Sequence, residues 1–171
     1  MSEQKKYEKI EDAIIGLLDG ELQEKALEFL AYLNENQFPL KMPGYTQNYA
    51  KFSFNGYYLG WIGVEEKNKW YVEIFNFSNF VASGDEDEEF IATVHKHINP
   101  CSHSCCGSCP EPCQIAKEGM TVFGKKFCNV CFQHTCGFSN PDEKTVGYIK
   151  KLIEYRKNVI PQEYIYHCNH L

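Results

Sequence analysis

Within residues 21–35, Leu22, Ala26, Phe29, Leu30 and Leu33 recur at the spacing of one helical stripe, while Glu24, Lys25 and Glu28 take the other side. This pattern predicts an amphipathic helix. A shorter one, marked by Ile10, Ile14, Leu17 and Leu18, precedes it, and Asp19-Gly20 separates the two. After a loop at Pro39, Pro43 and Gly44 the chain changes character. Eleven of its twenty-five aromatic residues fall within residues 49–80, a composition of strands rather than helices. Asn55-Gly56, between residues 51–54 and 57–59, is a hairpin signal because both residue types tolerate positive φ. A second turn at residues 66–69 joins 57–64 to 70–77, completing a three-stranded antiparallel meander.

On the third strand Trp70, Val72 and Ile74 share one face, and Tyr71, Glu73, Phe75 and Phe77 share the other. Both faces are largely apolar. The pattern predicts a sheet with helices on one side and a cavity or further layer on the other. Trp61, Trp70, Tyr71 and Glu73 are the candidate lining of a ligand pocket there, although core packing is the commoner role of such tryptophans and solvation that of such a glutamate.

The acidic run 85–89 directly precedes Phe90, Ile91, Val94 and Ile98 at helical spacing. We read it as the charge-complemented start of a helix rather than a cation site, with His95, Lys96 and His97 at the other end and Asn99-Pro100 as the stop. Residues 124–132 read as a further strand after a turn. Asn140-Pro141-Asp142-Glu143 begins a last helix, with Asn140 as the capping side chain and Pro141 at the first position. Val146, Ile149, Leu152 and Ile153 continue it, and Lys150, Lys151, Arg156 and Lys157 suit its C-terminal half. The predicted class is therefore α+β, an antiparallel sheet of the meander plus at least one further strand, packed with helices in a single domain over residues 1–171.

Composition narrows what such a domain can do. A net charge of -6 argues against a duplex nucleic-acid partner, which requires a basic face. The first residues carry lysines but no apolar run of secretion-signal length, and no later stretch is apolar enough to span a bilayer. We expect a cytoplasmic protein with no membrane partner. No Gly-rich phosphate loop, nucleophile elbow or zinc-protease histidine pair occurs, which weighs against common enzyme classes.

Eight of the nine cysteines lie within residues 101–136. In a reducing compartment clustered thiols are read as metal ligands before disulfides. Cys106-x2-Cys109 and Cys128-x2-Cys131 stand eighteen residues apart, the spacing of a four-cysteine zinc site. A regular strand over 128–131 would send Cys128 and Cys131 to opposite faces, so both can reach one ion only if the chain kinks there. If it does not, one of them acts alone and Cys105 or Cys113 completes the set. Cys101, Cys136, His103 and His134 are candidates for a second ion, again with Cys105. An iron–sulfur cluster is the rival cofactor, since Cys106-x2-Cys109-Pro110 matches part of a ferredoxin run. The run stops at Pro112, and Ser108 stands where a radical-enzyme cluster needs its third cysteine.

The order of elements, with Leu27 to Leu33, Asn55-Gly56-Tyr57-Tyr58-Leu59 and Val146 to Arg156, resembles the YdhG-like family of small uncharacterised bacterial proteins. The resemblance implies an α+β domain with a cavity beside the sheet. Some members are described as iron chaperones, but the cysteine segment departs from the family pattern, so that role is not carried over. The function expected is a zinc-stabilised binding or interaction module whose partner is a protein or small molecule. Alternatives are a thiol-based metal or redox sensor, and an enzyme or small-ligand binder using the aromatic-lined cavity.

Overall fold

The structure, a computed structural model, describes residues 9–43, 48–75, 86–99, 119–130 and 136–163. Two helices open it, α1 (Ile10–Leu17) and α2 (Gly20–Glu35). The strands β1 (Leu40–Lys41), β2 (Tyr49–Phe54), β3 (Tyr57–Glu66) and β4 (Lys69–Ile74) follow, then α3 (Glu88–Lys96). A small hairpin, β5 (Met120–Val122) and β6 (Lys125–Phe127), precedes β7 (Cys136–Ser139) and the last helix, α4 (Glu143–Glu163). No helix among the described residues is long and apolar enough to cross a membrane.

The meander forms as its turn residues dictate. Asn55 and Gly56 take positive φ between β2 and β3, and Asn68 does the same between β3 and β4. Strand β7 then pairs antiparallel with β4, giving a five-stranded sheet in the order β1-β2-β3-β4-β7. Alternation along β4 decides the layers: Trp70, Val72 and Ile74 are fully buried, and Tyr71 and Glu73 are half-buried on the opposite face. The buried face packs against α1, α2 and α4 through Ile14, Phe29, Leu33, Ile149 and Ile153. Across the helical layer, Tyr32 of α2 donates to Glu154 of α4 at 3.2 Å and Lys150 pairs with Glu28 at 3.2 Å.

Helix α3 starts as the acidic run predicts, with Asp87 capping the Glu89 amide at 3.0 Å. The start of α4 differs. Asp142, not Asn140, caps it, accepting from the Thr145 amide at 2.8 Å. Asn140 is instead held at φ +43°, where its Oδ1 accepts from the Trp70 amide at 2.9 Å and its Nδ2 donates to the Asn68 carbonyl at 3.0 Å. The side chain is a clamp between the β4 edge and the β3–β4 turn, and asparagine suits it because it tolerates left-handed backbone. Asn68 continues the chain of contacts, accepting from the Asp19 amide at 2.9 Å and so fixing the α1–α2 junction.

Candidate functional site

The sheet face away from α1, α2 and α4 carries an open cleft of about 430 Å³. The strand register puts its lining in place. Trp61 of β3 stands opposite Glu73 of β4, which stands opposite Gly137 of β7, and in the next row Gly63, Tyr71 and Ser139 lie side by side. Trp61, Tyr71 and Glu73 therefore meet at the cleft, with Glu65, Asn99 and Ser139 completing its walls. Trp70 does not join them. Its odd spacing from Tyr71 and Glu73 turns it into the core, where its ring packs on Phe29 with centroids 6.3 Å apart.

Two glycines shape this floor. A Cβ on Gly63 would sit 2.6 Å from the end of the Tyr71 ring, so the missing side chain lets that phenol lie across β3. A Cβ on Gly137 would sit 2.6 Å from the Asn99 Nδ2, so the carboxamide fills the space beside Glu73. Glu73 is not a solvated strand residue: its Oε2 is sealed from water. Trp61 is wedged between Tyr49, at 5.2 Å, and Phe75, edge-on at 4.9 Å.

The negative potential here is visible in Tyr71, whose phenol is pushed from 10.0 up to about 12 by burial first and then by Glu73, Tyr49 and Glu65. The folded value lies above the unfolded one, so the native protein holds this proton more tightly. The associated stability is complete below pH 10.0 and is lost as pH rises through about 12. The difference in tyrosinate absorbance between wild type and Tyr71→Phe is expected to titrate near 12; a midpoint at the ordinary value would contradict the buried, acid-flanked placement.

Of the six candidate metal ligands, Cys128 is described, and Cys105, Cys106, Cys109, Cys113 and Cys131 lie outside the described residues. Among the described residues no group of three or more His, Cys, Asp and Glu side chains is placed to hold a metal ion. What surrounds Cys128 is nonetheless informative. The predicted strand over 124–132 ends at Phe127. Asn129 turns the chain at φ +58°, Val130 tucks into the core, and the Cys128 thiol is exposed. Gly119 packs so closely that a Cβ there would lie 2.3 Å from the Phe127 carbonyl oxygen and 3.3 Å from the Cys128 Cα. Gly119 thus lies beside Cys128.

The hairpin is fastened to the domain. His95 Nε2 donates to the Val122 carbonyl at 2.9 Å and its ring lies 5.1 Å from that of Phe127. Phe123, at the turn, packs on Phe90 at 5.5 Å and on Tyr155 at 5.7 Å. His97 stacks on Phe138 at 4.6 Å. These histidines do more than complement a helix end. Cys136, a candidate for a second ion, is fully buried in β7 with its thiol 3.7 Å from the Val94 carbonyl, and burial pushes its pKa up. That removes it from any exposed thiolate cluster.

No protein-family model, curated protein or solved structure matches the chain. Its own residues must therefore carry the functional reading. Two of them escaped the sequence pattern. Asn99 was read as a helix stop and becomes a wall of the cleft. Arg156, read as a charge that suits the C-terminal half of the last helix, is fully buried. Its signal was positional: it is the next member of the stripe Val146, Ile149 and Ile153.

Proposed function

We propose that this is a binding domain in which a cysteine-ligated metal ion, zinc by preference, fixes the segment between α3 and β7. The observation that carries the reading is the break at Cys128. Left-handed Asn129 bends the chain between Cys128 and Cys131, removing the strand geometry that would have sent the two thiols to opposite faces. Cys106 and Cys109 are the partners we assign from the first cluster, with Cys105 and Cys113 as replacements. Four thiolates in a tetrahedron suit zinc, and such a site supplies about 10–16 kcal/mol of apparent binding free energy in small zinc peptides. The segment needs that contribution, since residues 101–118 contain few apolar side chains besides cysteine.

Elemental analysis of protein purified without chelator is expected to find about one zinc ion per chain. Cys128→Ser is expected to weaken zinc retention at least roughly tenfold, and stripping the metal to lower the melting temperature. Iron with visible absorbance, or protein containing no metal, would sink the proposal.

The exposure of Cys128 favours one second reading, a thiol-based metal or redox sensor. Reversible zinc release under mild peroxide supports that reading; full retention while exposed thiols oxidise removes it.

A further inference from the structure

We propose that the last turn of α3 couples the metal-binding segment to the cleft on the open sheet face, so that the Asn99 wall of the cleft is firmly seated only when the metal is bound. The inference rests on the metal reading above and adds a regulatory role to it. Helix α3 is held at both ends by different partners. Its first turn is tied to α4, where Glu89 pairs with Lys144 and Tyr148 donates to Asp87 at 3.3 Å. Its last turn is tied to the β5–β6 hairpin through His95, which bonds the Val122 carbonyl and lies against the Phe127 ring. Directly beyond that turn the chain meets β7. The His97 carbonyl accepts from the Gly137 amide at 3.1 Å, Ile98 bridges to Cys136, and the Asn99 carboxamide fills the space over Gly137. The Val94 carbonyl adds to this junction, accepting from the His97 amide at 3.0 Å and from the Cys136 thiol at 3.7 Å. One helical turn thus touches the residue before Cys128 on one side and carries the cleft wall on the other.

The hairpin is the element with two states. Its strands are three residues each and pair with one another, separately from the five-stranded sheet. A lone two-stranded hairpin is marginal in water, so its seat depends on the burial of Met120, Val122 and Phe123 and on what fixes its ends. A metal joining Cys128 to Cys106 and Cys109 fixes them. Cys128 directly follows β6, and residues 106–119 lead into β5, so the ion closes the chain around the hairpin. When the hairpin leaves its seat, His95 loses both of these contacts. A helix of nine residues has little hold on its own last turn, which then frays from β7. An ion that prefers the seated hairpin therefore shifts the population toward the seated wall.

Hydrogen exchange on the full chain tests this, because the Gly137 amide reports the bond between the end of α3 and β7. The comparison amide is that of Val64 in β3, which donates to the Asn48 carbonyl at 2.7 Å, away from β7. Removing zinc with a chelator is expected to speed Gly137 exchange at least about tenfold more than Val64 exchange. His95→Ala, kept in excess zinc, is expected to exchange Gly137 as fast as the stripped protein does. His95→Gln, whose side-chain amide still reaches the Val122 carbonyl, is expected to keep the zinc dependence. Equal acceleration of the two amides, no acceleration of Gly137, or an undiminished zinc dependence in a folded His95→Ala variant would overturn the proposal. The wild-type comparison decides it alone if His95→Ala fails to fold. Zinc content read on the same samples separates the two readings: a chain that holds zinc while Gly137 ignores its removal defeats only the coupling, and a chain that holds no metal defeats both.

Discussion

Gly60→Ala is expected to destabilise the protein by about 3 kcal/mol, a large share of the roughly 5–15 kcal/mol that holds a domain together. Gly60 lies in β3 opposite Ile74. A Cβ there would stand 2.1 Å from the Glu73 carbonyl oxygen and 2.8 Å from Phe52 Cζ. The ring can move, but the carbonyl belongs to β4 and yields only if the two strands part. Urea denaturation gives the measurement: the midpoint falls while the slope stays that of the wild type. A variant as stable as the wild type would mean that β3 and β4 do not approach this closely. Gly63→Ala makes a useful contrast, because the nearest atoms it meets, at 2.6 Å, belong to the far end of the Tyr71 side chain, although the Tyr49 Cβ at 2.8 Å must also give. We expect it to cost about 2 kcal/mol, less than Gly60→Ala, and to narrow the cleft.

The second large effect separates the two tryptophans. Trp70→Ala is expected to cost about 3–5 kcal/mol, since it empties a fully buried site between the sheet and Phe29 of α2. Trp61→Phe, on the half-buried face, is expected to cost about 1 kcal/mol or less while changing the cleft. Thermal and urea unfolding monitored by circular dichroism check both. Equal losses would contradict the assignment of one ring to the core and the other to the cleft.

Much of this arrangement could be read from the residues, where burial on one side of an element imposes a period. The α2 stripe and the meander are of that kind, and the α+β class followed from them. The parity of β4 alone separates Trp70 from Tyr71 and Glu73; grouping Trp61, Trp70, Tyr71 and Glu73 as one pocket discarded that information. What stayed hidden depends on single backbone choices. Nothing in the order Asn140-Pro141-Asp142 distinguishes a capping asparagine from one locked at positive φ against a neighbouring strand. Likewise, 128–130 reads as a continued strand until Asn129 adopts the left-handed region. Glu73 and Arg156 were hidden differently, because residue type favours solvent for both while their positions are dictated by register and stripe. The cysteines of the first cluster lie outside the described residues.

The outermost strands bear on how copies of this chain behave when crowded. On one side β1 contributes two residues, and the Ser53 amide beyond it is taken by the Pro39 carbonyl at 3.2 Å. On the other, Ile98 bridges to Cys136 and the His97 carbonyl takes the Gly137 amide at 3.1 Å, so the end of α3 caps β7. Among the described residues, then, neither margin presents a long row of open amides and carbonyls onto which a second molecule's strand could add. Encounters at high concentration are directed to the faces rather than the margins, which works against ordered fibres built by strand addition.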